Sequence, residues 1–241
     1  MCFTISVEKK AKEAIREYLK SNEGVQMKFD FDDDYFLVSG FSHPRLPIIK
    51  QGAITLSEWG LIPPFAVQDK VDELQNMTLN ARSDTIYEKP SFKKSIVSQR
   101  CVLVVDGFFE WRHENNKKLP FYVYPKDKTV FYLGCIYNSW VNKITGEVRD
   151  TFSIITTDAN PLMEYVHNSK KRMPLIIGKS DIQAWINPET SKQLIDKLMI
   201  PFPESEMSFH AISTDTGNSR KNRNVPDIKN EVSNNENNRL F

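Results

Sequence analysis

The order of apolar and polar positions along the chain predicts one helix first and mostly strands after it. Val7, Ala11, Ala14, Ile15, Tyr18 and Leu19 recur at helical spacing, so residues 7–20 read as a helix with Ser6 as its cap. Residues 29–34 alternate Phe with Asp and then turn wholly acidic, the pattern of a solvated loop or edge. Residues 35–40, 101–105, 120–124, 130–137 and 151–157 are rich in Val, Ile, Phe and Tyr and are bounded by turn-forming residues, which predicts strands. Residues 142–147 read as the turn of a hairpin. Asp158 and Pro161 open a short helix through Val166, Ser180 opens another that holds Ile182 and Trp185, and residues 190–199 make a third. This order gives an α+β fold: a largely antiparallel β-sheet or barrel-like core with flanking short helices. The regular βαβ alternation of a doubly wound sheet is missing.

Composition narrows the setting. The 241 residues suit one domain over residues 1–229, followed by a polar, flexible tail over residues 230–241 that is rich in Asn and Glu. Thirty-two Lys+Arg against 31 Asp+Glu leave a net charge of +1. That excludes a protein that holds DNA by bulk charge, so any nucleic-acid contact must come from a local patch. No run reaches the roughly 18 apolar residues of a membrane span, and no signal-peptide core follows Met1. No membrane and a cytoplasmic location are therefore expected. Three cysteines, an odd number, argue against a secreted disulfide scaffold and fit a reducing compartment. The Cys and His spacings form no ligand pattern, so no metal and no cofactor are expected. Cys101 and Cys135 sit inside apolar strand patterns and read as core.

Cys2 is the candidate for chemistry. With Met1 removed, the chain would begin with an α-amine and a β-thiol on one residue. Their reference pKa values are about 7.7–8.0 and about 8.5, so both are available as nucleophiles near neutral pH. Such a 1,2-aminothiol attacks an aldehyde twice: the amine makes an imine, and the thiol closes a thiazolidine ring. By position alone, a small buried residue is the stronger reading of Cys2.

Five stretches shift that balance: Met1-Cys2; Glu58-Trp59-Gly60-Leu61-Ile62-Pro63; Leu79-Asn80-Ala81-Arg82-Ser83-Asp84; Arg100-Cys101 through Asp106-Gly107-Phe108-Phe109-Glu110-Trp111; and His167-Asn168 through Arg172-Met173-Pro174. In this order, across nearly the whole chain, they closely resemble the SOS-response-associated peptidase (SRAP) family. The resemblance implies a protein that senses abasic sites in single-stranded DNA and traps them covalently, as a monomer. It implies Cys2 as nucleophile and Asn80 as the amide that orients the amino terminus or the sugar. Glu110 would be the acid/base, a role that apolar neighbours suit, and His167 a proton carrier. It further implies Arg82 and Arg172 on phosphates, Thr156 as an added hydroxyl contact, and Pro44, Phe65, Phe109 and Trp111 as apolar surfaces for flanking bases. Trp59 reads as core. Peptidase and lyase activities come with the family. A Cys-dependent hydrolase acting in trans and a non-covalent single-strand binding module are the rival readings. The chain departs from the family pattern at Phe3-Thr4, where many members carry Gly-Arg with a phosphate-contacting Arg. It departs again at Phe65, often Trp, and in a longer loop between His167 and Arg172.

Overall fold

The computed structural model describes residues 2–218 and 220–232. In chain order the elements are β1 (Thr4–Val7), α1 (Lys9–Ser21), β2 (Gln26–Met27), β3 (Tyr35–Ser39), β4 (Arg45–Lys50), β5 (Ala53–Trp59), α2 (Val71–Met77), β6 (Asn80–Arg82) and α3 (Ser95–Ser98). There follow β7 (Arg100–Val105), β8 (Gly107–Glu114), β9 (Lys117–Pro125), β10 (Phe131–Val141), β11 (Val148–Asp158), α4 (Pro161–Val166), β12 (Arg172–Pro174), α5 (Ile182–Ile186), α6 (Lys192–Leu198) and β13 (Met207–Ala211).

Strands β11, β10, β7, β4 and β5 run side by side, and β5 returns to pair in parallel with β11 through Glu58↔Thr151 and Trp59↔Phe152. That last pairing closes a barrel and leaves those five strands no free edge. A second sheet, ordered β13-β9-β8-β1-β3, is antiparallel throughout. Both architectures match the expected antiparallel, barrel-like α+β fold. Inside, Trp59 stacks on Phe152 at 6.2 Å and gives its indole N–H to the Leu79 carbonyl at 2.8 Å, so it is core as expected. Cys101 and Cys135 face each other across β7 and β10, both fully buried. Every residue of β7 is buried, because α1 and α5 pack over it.

The first helix starts later than its periodicity predicts. Residues 4–7 form β1, all four buried between β3 and β8. Ser6 therefore caps nothing; its hydroxyl pairs with the Tyr122 hydroxyl at 2.8 Å. The cap of α1 comes from far along the chain: the Asp106 carboxylate accepts from the N–H of Glu8 at 2.6 Å and of Ala11 at 3.3 Å. The hairpin turn at residues 142–147 forms as predicted, closed by the Asn142 N–H on the Glu147 carbonyl at 2.8 Å. Helix α4 is capped by Asn160, whose Oδ1 accepts from the Met163 N–H at 2.8 Å, rather than by Asp158. Of the expected tail, Glu231 bridges to Ile212 and the Val232 N–H bonds the Ala211 carbonyl at 3.0 Å, so the chain is held to the second sheet this far. Residues 233–241 lie outside the described residues. Among the described residues, no helix is long and apolar enough to cross a membrane.

Candidate active site

Cys2 lies just ahead of β1. Because β1 runs antiparallel to β8 through Ile5↔Phe108 and Ser6↔Gly107, going back toward Cys2 and forward toward Glu110 leads to the same end of the second sheet. Asn80 arrives from the barrel, on β6, which pairs in parallel with β11. Its Nδ2–H donates to the Cys2 carbonyl at 3.0 Å. This bond fixes the backbone on the carboxyl side of Cys2 and leaves the amine side untouched. The Asn80 Oδ1 is buried with no hydrogen-bond partner among the described residues. An amide spare acceptor is what an incoming hydroxyl or amine would use.

Cys2 and Glu110 are both buried. Burial pushes the Cys2 thiol well above its ordinary range, and the nearby Glu110 carboxylate pushes it further. The thiol is thus protonated at neutral pH, so it needs a proton acceptor beside it to react.

His167 closes the carboxyl end of α4, its N–H on the Met163 carbonyl at 2.7 Å, and is buried. Its Nδ1 pairs with the Arg172 carbonyl at 3.0 Å. A carbonyl only accepts, so Nδ1 carries the proton and Nε2 is the nitrogen that exchanges one in the neutral ring. The loop after His167 is pinned to β8. Asn168 accepts from the His113 N–H at 3.0 Å and donates to the His113 carbonyl at 2.8 Å. Arg112 reaches the Tyr165 carbonyl and lies over the Tyr165 ring at 4.3 Å. These contacts tie the strand of Glu110 to the loop of His167. Nothing in the local sequence signals them, since an Asn that mimics a strand partner looks like any loop Asn.

The arginines meet at one corner. Register Arg82↔Thr156↔Pro174 sets β6, β11 and β12 abreast. Asp84 pairs with Arg82 through both Nε, at 3.0 Å, and Nη2, and lies 3.8 Å from Arg172. Arg172 also reaches Asp158 at 3.1 Å and the Thr156 carbonyl. The Arg82 hydrogen bonds hold the Asp84 carboxyl below the usual carboxylate range. Arg82 keeps an exposed side chain, 55%, whereas Arg172 keeps only 7%. Arg172 is therefore chiefly a brace between β11, β12 and Asp84.

Two expected DNA contacts need correction. Thr156 is fully buried in the barrel wall, with its hydroxyl 3.4 Å from Arg172. Phe109 is fully buried in a cluster with Leu37, Tyr122, Ile212 and Ile228, its ring 5.0 Å from that of Tyr122. Strand alternation sends Phe109 to this second core and its neighbour Glu110 to the site side. Phe109→Ala should accordingly cost about 3–5 kcal/mol of stability, read as a lower urea midpoint, with no selective loss of DNA affinity in the folded protein. Trp111 is partly buried against the same cluster. Pro44 is half-buried and Phe65 is exposed, so both remain available to a ligand. An aromatic that sequence reading passed over, Phe41, is 58% exposed and packs on Phe3.

Comparison with known proteins places this arrangement. The family model described as "SOS response associated peptidase (SRAP)" matches residues 1–219. The chain is 35% identical over 212 residues to the "Abasic site processing protein YoqW" of Bacillus subtilis (strain 168), covering 82% of this chain and 91% of that protein. It is 30% identical over 184 residues to the "Abasic site processing protein HMCES" of Xenopus tropicalis, covering 68% of this chain and 53% of that protein. A crystal structure of a Bacteroides thetaiotaomicron protein superposes with a TM-score of 0.88 at 39% identity, over 96% of this chain and all of that one. With a family model spanning nearly all of it, the chain belongs to the SOS response-associated peptidase (SRAP) family.

Proposed function

We propose that this protein recognises abasic sites in single-stranded DNA and traps them covalently through Cys2, shielding the lesion. The observation that carries the reading is the convergence of Cys2, Asn80 and Glu110 in a chain whose relatives are named abasic site processing proteins.

Removal of Met1, by the site itself or by an aminopeptidase, exposes the Cys2 amine. Arg82 takes a phosphate, and the abasic sugar lies at Cys2. Glu110 shuttles the proton that opens the sugar ring to its aldehyde. The Cys2 nitrogen then bonds to the aldehyde carbon, and the carbonyl oxygen leaves as water after two proton transfers, with His167 Nε2 as carrier. The Cys2 sulfur adds to the resulting C=N carbon. Its proton passes through Glu110 to the nitrogen, which closes the thiazolidine with no net loss of atoms. The raised thiol pKa makes that last transfer dependent on the carboxylate. A reaction that stops at the imine permits β-elimination of the 3′ phosphate and strand cleavage, a lyase side activity.

A denaturing gel of the protein heated after incubation with an abasic single strand tests the reading. A heat-stable adduct is expected, and its absence overturns the proposal. Peptide turnover in trans without adduct points to a hydrolase instead. Salt-sensitive binding indifferent to the lesion and to Cys2 points to a simple binding module. His167→Ala should slow adduct formation by about 10²–10⁴-fold at saturating DNA, the usual contribution of a positioned proton carrier. Single-turnover gel kinetics measure it.

A further inference from the structure

We infer that Asp84 is a positioning residue: it clasps one edge of the Arg82 guanidinium and leaves another edge as a two-pronged donor for the phosphate beside the abasic sugar. This rests on the function proposed above. A carboxylate at a phosphate site is unexpected, because its charge repels the ligand, so its presence calls for a physical reason.

Local structure makes the clasp. Strand β6 ends at Arg82, where the Ser83 N–H bonds the Thr156 carbonyl at 2.9 Å and the Thr85 N–H bonds the Arg82 carbonyl at 3.2 Å. That turn folds Asp84 back onto the Arg82 side chain. Its Oδ1 accepts from Nε at 3.0 Å and its Oδ2 from Nη2. A guanidinium has five N–H donors, and this pairing uses two of them, on one edge. Among the described residues nothing hydrogen-bonds Nη1 of Arg82, and the side chain is exposed. The edge formed by Nη1 and Nη2 is therefore unused, and its parallel N–H groups match two oxygens of one phosphate.

Asp84 is itself held. Nearly buried Arg172 comes within 3.8 Å of Asp84 Oδ2 and reaches Asp158 at 3.1 Å. The chain of contacts runs from buried Arg172 through Asp84 to exposed Arg82. The charges of Arg82 and Arg172 are matched by those of Asp84 and Asp158, so this corner attracts DNA little by bulk charge, and the geometry of the fork must supply the contact. A free arginine side chain loses rotamer freedom when it binds, whereas a clasped one has lost that freedom already on folding. Ordering thus offsets the repulsion from Asp84, which Arg172 already weakens.

The place along β6 suits the phosphate next to the lesion. Asn80 and Arg82 flank buried Ala81, so their side chains leave the same face, with Cα atoms about 6.6 Å apart. Asn80 holds the Cys2 carbonyl at 3.0 Å. The clasped arginine therefore stands two residues from the side chain that fixes the reacting residue.

A double-mutant cycle on Asp84 and Arg82 tests this. The probe is single-stranded DNA carrying a tetrahydrofuran abasic analogue, which has no aldehyde and cannot be trapped, read by fluorescence anisotropy over a range of salt. At about 150 mM salt, Asp84→Ala should bind about fivefold more weakly than the unmodified protein, although it removes a negative charge. Its log–log salt slope should flatten by about 0.7, the share of one phosphate contact on a single strand. Arg82→Ala should lose at least as much, and adding Asp84→Ala to it should weaken binding no further. Asp84→Glu, which keeps the carboxylate, should restore both affinity and slope. Tighter binding by Asp84→Ala with a steeper slope would make Asp84 a competitor for Arg82 and overturn the proposal, as would additive losses in the cycle. Should Asp84→Ala fail to fold, Asp84→Asn takes its place in the cycle, with the same outcomes expected. If the unmodified protein forms no adduct with a true abasic strand, the proposed function falls while the cycle still decides Asp84. If it does not bind the single strand at all, both fall.

Discussion

Cys2→Ser should lose the heat-stable adduct entirely yet still give one when borohydride is present. The serine chain keeps its terminal amine, so an imine with the aldehyde forms and reduction traps it. The hydroxyl is a far weaker nucleophile than a thiol and closes no durable ring, so heating reverses the unreduced imine. In the proposed mechanism the thiol determines permanence and the amine determines capture. Retention of Met1 should remove the unreduced heat-stable adduct, because the Cys2 nitrogen is then an amide and closes no thiazolidine. Mass spectrometry of the intact protein, paired with gels with and without borohydride, separates the three states. A heat-stable, unreduced adduct from Cys2→Ser would place the nucleophile elsewhere.

Arg100→Met should lower stability by about 3–5 kcal/mol, because several carbonyls lose their donor at about 1–3 kcal/mol for each that stays buried and unsatisfied. Arg100 is fully buried and its guanidinium faces carbonyls. Nε–H donates to Trp185 at 2.7 Å, Nη1–H to Ile96 at 2.8 Å and to Val97, and Nη2–H to Asn187. Burial lowers its pKa, because the charge has lost solvent. One side chain thus satisfies the open carboxyl ends of α3 and α5 at once, and Met satisfies none of them. At roughly 2–4 °C per kcal/mol for a chain of this size, the melting temperature falls by about 6–20 °C. Urea unfolding measures the free energy directly. A change under about 1 kcal/mol would show that water or backbone adjustment replaces the guanidinium. The Arg100 guanidinium bonds α3, α5 and Asn187 and not the site residues, so the folded fraction should still form adduct.

The two predictions differ in how far the sequence foreshadows them. Cys2 stands out from its position and from the ordered motifs around it, and Asn80 and Glu110 come with those motifs. Arg100 looks like a strand-end charge until α3 and α5 fold against it. Strands β7, β9, β10 and β11 are legible because their apolar runs are long. Strands β4 and β5 were missed: β4 holds Pro47, which argues against a strand inside a sheet, and burial in the barrel wall overrides that signal. Val7 fits the helical spacing of the residues that follow it. Its pairing with Tyr35 of β3 makes it a strand instead, and Asp106 from the β7–β8 junction decides where the helix begins.

Taken by itself, the sequence determined the α+β class and the family and nominated candidate reacting groups, because composition, periodicity and ordered motifs are local properties of a chain. Tertiary structure alone decided which side chains are exposed to solvent. It buried Phe109 and Thr156, set Arg172 between Asp84 and Asp158, tied the His167 loop to β8 through Asn168, and left Phe41 exposed against Phe3. Accessibility depends on what packs against a residue from elsewhere in the chain. The closure of β5 onto β11 and the seating of β1 between β3 and β8 are contacts that no local pattern encodes.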